Sequence, residues 1–490
     1  MDATETATAG YVKQIGKLQT IAQTHVRCAD ARKVLSISAC AYVRVSETLT
    51  GEARLAGRET LELAVLTDDG VCRESGWTDF TDRAEIDGVL PTTKVTAISR
   101  VLDTDVVSVE GGNITLASVI EITLYAETET VIPLMPPQAE GVYTGDSRVT
   151  LSKLVARISG KTEVKNEERL AYSKLVCCDA RACVSGAEAG LDAVSVAGEV
   201  FIDGLGMTAE GSMQPFTLVM PFAEELAAEG ARRGDTAHVR ALTAAVSTEE
   251  SEDGLSLTVT VELGGEVYSE LVVSCAVDAF SPDCELTLDK TSICGINVIA
   301  EKCVNDQVDG TVTLPEGENA DKVLAMCGFR LSAVTAYPEF GKAVIEGAVS
   351  GTVIYADAEA GRKSSCAVEI PFKITTDADA PDGCVLDADG GVGKITVRPS
   401  RLGELSVRCA ISVCLRVSQP TEKEIITGFI CGEKLPDRKG VISMHIARDG
   451  ETLWESAKEL CVTPETVLLQ NSELTFPLKR GDKVFVFRSR

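Results

Sequence analysis

The sequence predicts a mainly β protein: three tandem β-sandwich or barrel-like repeats, then a small C-terminal α+β domain of strand, helix, helix, strand order. Three observations predict it. Lys33–Gly57 (KVLSISACAYVRVSETLTGEARLAG), Lys174–Gly198 (KLVCCDARACVSGAEAGLDAVSVAG) and Lys322–Gly347 (KVLAMCGFRLSAVTAYPEFGKAVIEG) align at spacings of 141 and 148 residues. That period is far longer than a solenoid unit, so each copy carries its own core. Each copy closes on a long run in which apolar and polar residues alternate, the period of a strand with one buried face. After Gly432 the acidity of the chain stops: residues 433–490 hold ten Lys or Arg and nine Asp or Glu, against 37 and 65 in residues 1–432.

Residues 1–32 carry Tyr11, Val12, Ile15, Leu18, Ile21 and Ala22 at helical spacing, which predicts an amphipathic helix preceding the first copy or packing on it. Copy one, residues 33–140, places Asp79-Phe80 after its conserved-length segment and then alternates through Ile114, Leu116, Ile120, Ile122 and Leu124. Copy two, residues 141–283 with linker strands, has Pro221-Phe222 and then Leu255, Leu257, Val259, Val261 and Leu263. Copy three, residues 284–432, again with linker strands, has Pro371-Phe372 and then Leu405, Val407, Cys409, Ile411, Val413, Leu415 and Val417. The three Phe steps fall 22 to 25 residues after the closing glycines and are expected as core anchors. Asp68-Asp69-Gly70, Glu252-Asp253-Gly254 and Ala380-Pro381-Asp382-Gly383 suit hairpin turns. Alternation with one wet face implies antiparallel sheets.

The chain has 490 residues and a net charge of −27, which disfavours nucleic acid and anionic membrane surfaces as partners. It has no run of apolar residues long enough for a transmembrane helix. The first ten residues lack a basic segment followed by an apolar one, and the 17 cysteines are odd in number, so a cytosolic chain with reduced thiols is expected.

Chemistry-bearing residues are few. His25, His238 and His445 are the only histidines. His25 and Cys28 would share a helix face as half a metal site, but no second pair follows. Cys177, Cys178 and Cys183 cluster, and Cys275, Cys284, Cys294 and Cys303 recur at nines and tens, yet C-x-x-C never occurs. Asp377, Asp379 and Asp382 miss the calcium-loop register, with Ala388 at its twelfth position. Phosphate-loop and G-x-S-x-G motifs are missing. No catalytic residue, metal ligand or cofactor is assigned, and a non-enzyme is expected.

In the tail, residues 433–490, Ile442, Met444 and Ile446 alternate as a strand, and Asp449-Gly450 turns. Thr452–Leu460 has helix-forming composition, and Thr463-Pro464-Glu465 starts a second helix that runs to Asn471. Val484, Val486 and Arg488 against Phe485 and Phe487 read as a closing strand. The series Gly450-Glu451-Thr452-Leu453-Trp454-Glu455-Ser456-Ala457-Lys458, then Thr463, Asn471 and Leu474, then Lys479-Arg480-Gly481-Asp482-Lys483-Val484, resembles a LysM domain over about fifty residues. It departs from that family at Glu451, where Asp is usual, at Ser456, where a core Ile is common, and at Phe487, where Pro often stands. The resemblance places a ligand groove at Gly450, Glu451, Thr452, Asn471 and Leu474, with Trp454 as a further contact residue. Gly450 and Asn471 suit plain turn positions equally well. Trp454 is expected to be mostly buried with an exposed edge.

The three repeats, over residues 30–425, resemble SPOCS domains of spore-coat assembly proteins. SPOCS copies followed by a LysM-like tail resemble the clostridial spore-coat morphogenesis scaffolds. That resemblance implies a non-enzymatic adaptor in the mother-cell cytoplasm at the forespore surface, binding other coat proteins and docking through its tail on the coat morphogenetic ATPase. The alternative it leaves open is a peptidoglycan- or chitin-binding protein that holds N-acetylglucosamine glycan.

Overall fold

The computed structural model describes residues 6–68, 70–133, 139–357, 361–401, 403–436 and 442–487. The chain is mainly β, with 78% strand and 3% helix. Among the described residues no helix is long and apolar enough to cross a membrane.

Three units repeat one plan. Unit 1 holds β1 (Thr6–Arg27), β2 (Ala31–Leu49), β3 (Glu52–Thr67), β4 (Gly70–Glu85), β5 (Val95–Glu110) and β6 (Asn113–Pro133). Unit 2 holds β7 (Tyr143–Lys165), β8 (Lys174–Ala189), β9 (Ala193–Met207), β10 (Met213–Ala227), β11 (Thr236–Ser251) and β12 (Gly254–Phe280). Unit 3 holds β13 (Cys284–Thr313), β14 (Lys322–Glu339), β15 (Lys342–Asp357), β16 (Arg362–Asp379), β17 (Val385–Arg401) and β18 (Glu404–Lys434). In each, the second to fourth strands form an antiparallel meander, while the sixth lies between the first and the fifth: β1-β6-β5, β7-β12-β11 and β13-β18-β17. The two sheets of a unit enclose one apolar layer. In unit 1 it draws Ile120, Ile122 and Leu124 from β6 against Leu55 of β3 and Phe80 of β4.

The alternating runs are the buried faces of β6, β12 and β18, as their period requires. The Phe steps anchor each meander. Gly57 pairs across the sheet with Phe80, Gly198 with Phe222 and Gly347 with Phe372. Each ring lies over its glycine, and a Cβ at Gly198 would come within 2.4 Å of the Phe222 ring.

Two expectations are overturned. Residues 1–32 are no helical segment: residues 6–27 are β1, the outer partner of β6 in the first unit. A register shift between Gln14 and Gly16 breaks the strand's two-residue period, so Val12, Ile15 and Leu18 fall at a spacing that imitates a helix. Likewise Ala380-Pro381-Asp382-Gly383 is no hairpin; it carries the chain from β16 in one sheet to β17 in the other. The turns at Gly70 and Gly254 do join paired strands, with positive φ at both glycines, while Asp69 lies outside the described residues.

The units close on one another in a cycle. The unit 1 meander lies against that of unit 2, unit 2 against unit 3, and unit 3 against unit 1, through β4 and β8, β10 and β14, and β16 and β2. Hydrogen bonds follow the same cycle: Cys40 Sγ of β2 to Thr243 O of β11 (3.6 Å), Arg181 Nε of β8 to Val392 O of β17 (3.1 Å), and Arg330 Nη2 of β14 to Leu102 O of β5 (2.8 Å). At the centre sit Leu35, Val176 and Leu324, each the extra residue of a bulge at the same position in its repeat. All three are buried in one shared cluster. A bulge turns one side chain out of the alternation, and here it turns it toward the neighbouring units.

Candidate docking surface

The tail folds as β19 (Ile442–Ile446), α1 (Leu453–Leu460), α2 (Pro464–Gln470) and β20 (Lys483–Phe487). Thr452 caps α1 through a capping box with Glu455, and Thr463 caps α2 with Pro464 in its first turn. Both helices pack on one face of the antiparallel β19–β20 pair through Ala457, Leu460, Val467, Val484 and Val486. Arg488 lies outside the described residues.

The six residues expected at a contact groove have mainly internal tasks. Glu451 is buried and accepts hydrogen bonds from Arg448 N (2.9 Å) and Ser456 Oγ (2.8 Å), and its Oε1 lies 2.7 Å from His445 Nε2. Burial alone would raise its carboxyl; these three partners hold it below the usual carboxylate range. Glu451 and Ser456, two of the departures noted above, are therefore bonded to each other. The Ser hydroxyl in the core has its acceptor. Asn471 is buried too, with Nδ2 donating to Val467 O (2.9 Å) and Phe485 O (2.8 Å) and Oδ1 accepting from Phe485 N (2.8 Å). Gly450 adopts φ +78°, Thr452 is the helix cap, and Leu474 packs on the tail core.

Trp454 joins the tail to unit 2. Its ring meets Phe280 of β12 edge to face at 5.0 Å, and its Nε1 donates to Asp278 (2.9 Å). Lys458 Nζ pairs with the same carboxylate at 2.7 Å. Partial burial raises the Asp278 carboxyl, and the bonds from Lys458 and Trp454 more than reverse that. Glycine at 145 leaves room for the indole, since a Cβ there would sit 2.8 Å from it.

What the tail leaves uncovered lies on the other face of its sheet. Ile442 pairs with Phe487 and Met444 with Phe485. With Ile446 they form one face, apolar except for Lys483 opposite Ile446, the five apolar side chains being 37–58% exposed. The opposite face carries Ser443, His445, Val484 and Val486 toward the helices. The two edges also differ. Along β20, Asn471 takes the backbone of Phe485, and Gln470 takes that of Phe487 through Nε2 to O (3.1 Å) and Oε1 from N (2.6 Å). Opposed residues in an antiparallel pair exchange both bonds or neither, so Met444 directs its N–H and C=O away from β20. Among the described residues no strand lies beyond β19. An open edge beside an apolar face can take an added strand. The signal was present in the sequence: β20 is apolar in both phases, Val484 and Val486 and also Phe485 and Phe487, the pattern of a strand covered on both sides.

Other chemistry-bearing residues are dispersed or paired. Because β1 is a strand, His25 and Cys28 lie on different faces; His25 is exposed beside Thr115, while Cys28 is buried. Its thiol, that of Cys72 and the Glu74 carboxylate lie within 4.8 Å of one another. Asp377 and Asp379 pair with Lys302 and Lys342 at 2.7 and 2.6 Å. No family model, curated protein or solved structure matches the chain.

Proposed function

We propose that the chain is a non-enzymatic scaffold of spore-coat assembly in the mother-cell cytoplasm. Its three six-stranded units act as SPOCS-like sandwiches that hold coat proteins, and its LysM-like tail docks on the coat morphogenetic ATPase at the forespore surface. The observation that carries this reading is the apolar face of Ile442, Met444, Ile446, Phe485 and Phe487 beside the open edge of β19. Exposed apolar area of this kind is costly to keep in water and marks a surface made for a partner. Residues 1–432 carry 65 acidic against 37 basic residues, which speeds encounter with basic surfaces on coat proteins.

The glycan reading needs free polar groups in the groove, and Glu451 and Asn471 have theirs bonded within the tail. The test is a pull-down of the ATPase by the full chain and by Met444→Glu and Phe485→Glu variants. Loss of capture with retained tail fold supports docking through this face. Undiminished capture by both variants, or by a chain lacking residues 433–490, refutes it. Retention of the chain by purified peptidoglycan in co-sedimentation, lost on Thr452→Ala, would favour the glycan reading.

A further inference from the structure

Unit 3 begins and ends on one strand pair, since β13 and β18 run antiparallel over almost their whole lengths. Cys303 and Cys414 are directly opposed in that register, and their sulfurs lie 2.8 Å apart. Two thiolates on one tetrahedral metal stand roughly 3.8 Å apart, given metal–sulfur bonds near 2.3 Å, so this pair is too close to share an ion. A disulfide needs sulfurs at about 2.05 Å and opposed Cβ atoms about 3.8 Å apart, which a cross-strand pair supplies with little backbone movement. Access is one-sided: Cys303 is exposed and Cys414 is buried.

We propose that Cys303 and Cys414 form a reversible disulfide by exchange with a low-molecular-weight disulfide, locking the third unit closed. The Cys303 thiolate attacks one sulfur of the small disulfide and releases its other half as a thiolate. Cys414 then gives its proton to that leaving group and attacks the Cys303 sulfur, expelling the second half as a thiolate, which takes up from solvent the proton that Cys303 had lost on becoming a thiolate. Two protein thiols are oxidised and one small disulfide is reduced to two thiols. The hydrogen bond from Cys414 lowers the Cys303 thiol and makes it the attacking group, while the same contact and burial raise Cys414.

Position gives the bond its consequence. Cys303 and Cys414 are 111 residues apart, and the loop between them contains β14, β15, β16 and β17 entire. A cross-link enclosing so long a loop restricts the unfolded chain strongly and lowers the unfolding constant roughly 30- to 1000-fold. Lys302 and Glu301 precede the thiol, and Glu301 enters the interface with β11 of unit 2, so the locked strand pair also carries part of the ring.

The experiment treats the full chain with oxidised glutathione at pH 8, quenches free thiols, and maps peptides without reduction. A linked peptide pair containing Cys303 and Cys414 is expected, with two fewer titratable thiols and a higher urea midpoint that dithiothreitol reverses. In Cys414→Ser the reaction is expected to stop at a glutathione adduct on Cys303. Recovery of Cys303 and Cys414 as unlinked thiols, or of Cys303 joined to another cysteine of the chain, overturns the proposal. So does a linked pair whose urea midpoint is unchanged, since the lock is then without effect.

Discussion

Glu301→Gln is expected to stabilise the protein at neutral pH by about 3 kcal/mol. Glu301 of β13 meets His238 of β11 across the boundary of units 3 and 2, through Oε1 and Nδ1. Its Oε2 and the His238 Nε2 are buried without a hydrogen-bond partner among the described residues. Burial pushes the Glu301 carboxyl up from 4.5 to about 8; Cys303 and Asp387 add to this, and Arg416 and Arg240 oppose it. Burial also drives His238 well below 6.5, helped by Arg240 and Arg416. Both groups are therefore neutral in the fold at pH 7, with the carboxyl donating its proton to Nδ1. Keeping that proton on a group that ionises at 4.5 when unfolded costs about 3 kcal/mol at pH 7, at roughly 1.4 kcal/mol per pH unit. The folded state holds more protons than the unfolded one. Stability from this group is thus complete below 4.5, falls as pH rises toward 8, and is constant beyond. His238 acts in the opposite sense, but only below 6.5, so pH 6.5 to 8 isolates the carboxyl. Gln keeps an N–H for Nδ1 and has no charge to bury. Urea unfolding of both proteins at pH 6.5, 7 and 8 should show the gap widening with pH. A Gln variant less stable than the parent at pH 7, or a gap independent of pH, refutes the reasoning.

Three further outcomes are expected. Trp454→Ala removes the Phe280 contact and the bond to Asp278, weakening the tail's hold on unit 2 by about 2–4 kcal/mol; hydrogen exchange at Asp278–Phe280 should rise, and unchanged protection there would count against it. Gly198→Ala places a Cβ 2.4 Å from both the Phe222 ring and Cys183 O, and should cost about 1–3 kcal/mol in thermal unfolding of unit 2. Asn471→Ala strips the part-buried N–H and C=O of Phe485 of their side-chain partner, while Val467 O keeps the backbone N–H of residue 471, and should lower tail stability by about 1–3 kcal/mol, read as faster exchange along β20.

Legibility in the sequence followed the range of the interaction. Leu405 to Val417 declare their strand because every second side chain along β18 enters the core, even though Cys414 and Arg416 on the other face are buried as well. The tail's helices announce themselves through caps that act over three residues, Thr452 on Glu455 and Thr463 on Thr466. Gly57, Gly198 and Gly347 could be aligned with their Phe partners because the hairpin separating them has nearly constant length. The misreading of β1 has the same root: one inserted residue near Gln14 shifts the parity, and apolar spacing across it no longer reports a strand. The ring was hidden for a related reason. Leu35, Val176 and Leu324 occupy bulges, whose side-chain direction follows from a pairing the local sequence does not state. In the tail, Glu451 and Ser456 each look like a defect taken singly. Together they make a buried hydrogen bond, a property of the pair and of no single position.

The ring also limits which surfaces of the three units stay open. Each unit spends its meander sheet on its neighbours, and Arg181 shows at what electrostatic cost: it is buried with Asp179 at 2.5 Å and with Asp203, and its guanidinium reaches the carbonyls of Val392 and Gly393 in unit 3. Both carboxylates belong to unit 2, so opening the cycle would cost Arg181 only its two carbonyl acceptors, whereas the pairs Arg240–Asp387 (2.6 Å) and Arg416–Glu266 (3.4 Å) span units 2 and 3 and would be broken. Under the function proposed above, partners of the three units would meet surface that these contacts leave open. The tail is different. It meets unit 2 where Trp454 packs on Phe280 and Gly145 and bonds Asp278 together with Lys458, and its uncovered surface is an apolar face beside a strand edge that no other strand among the described residues pairs with. Under the scaffold function proposed above, the acidic body would set distances between bound molecules, and the apolar face of the tail would decide where the body stands.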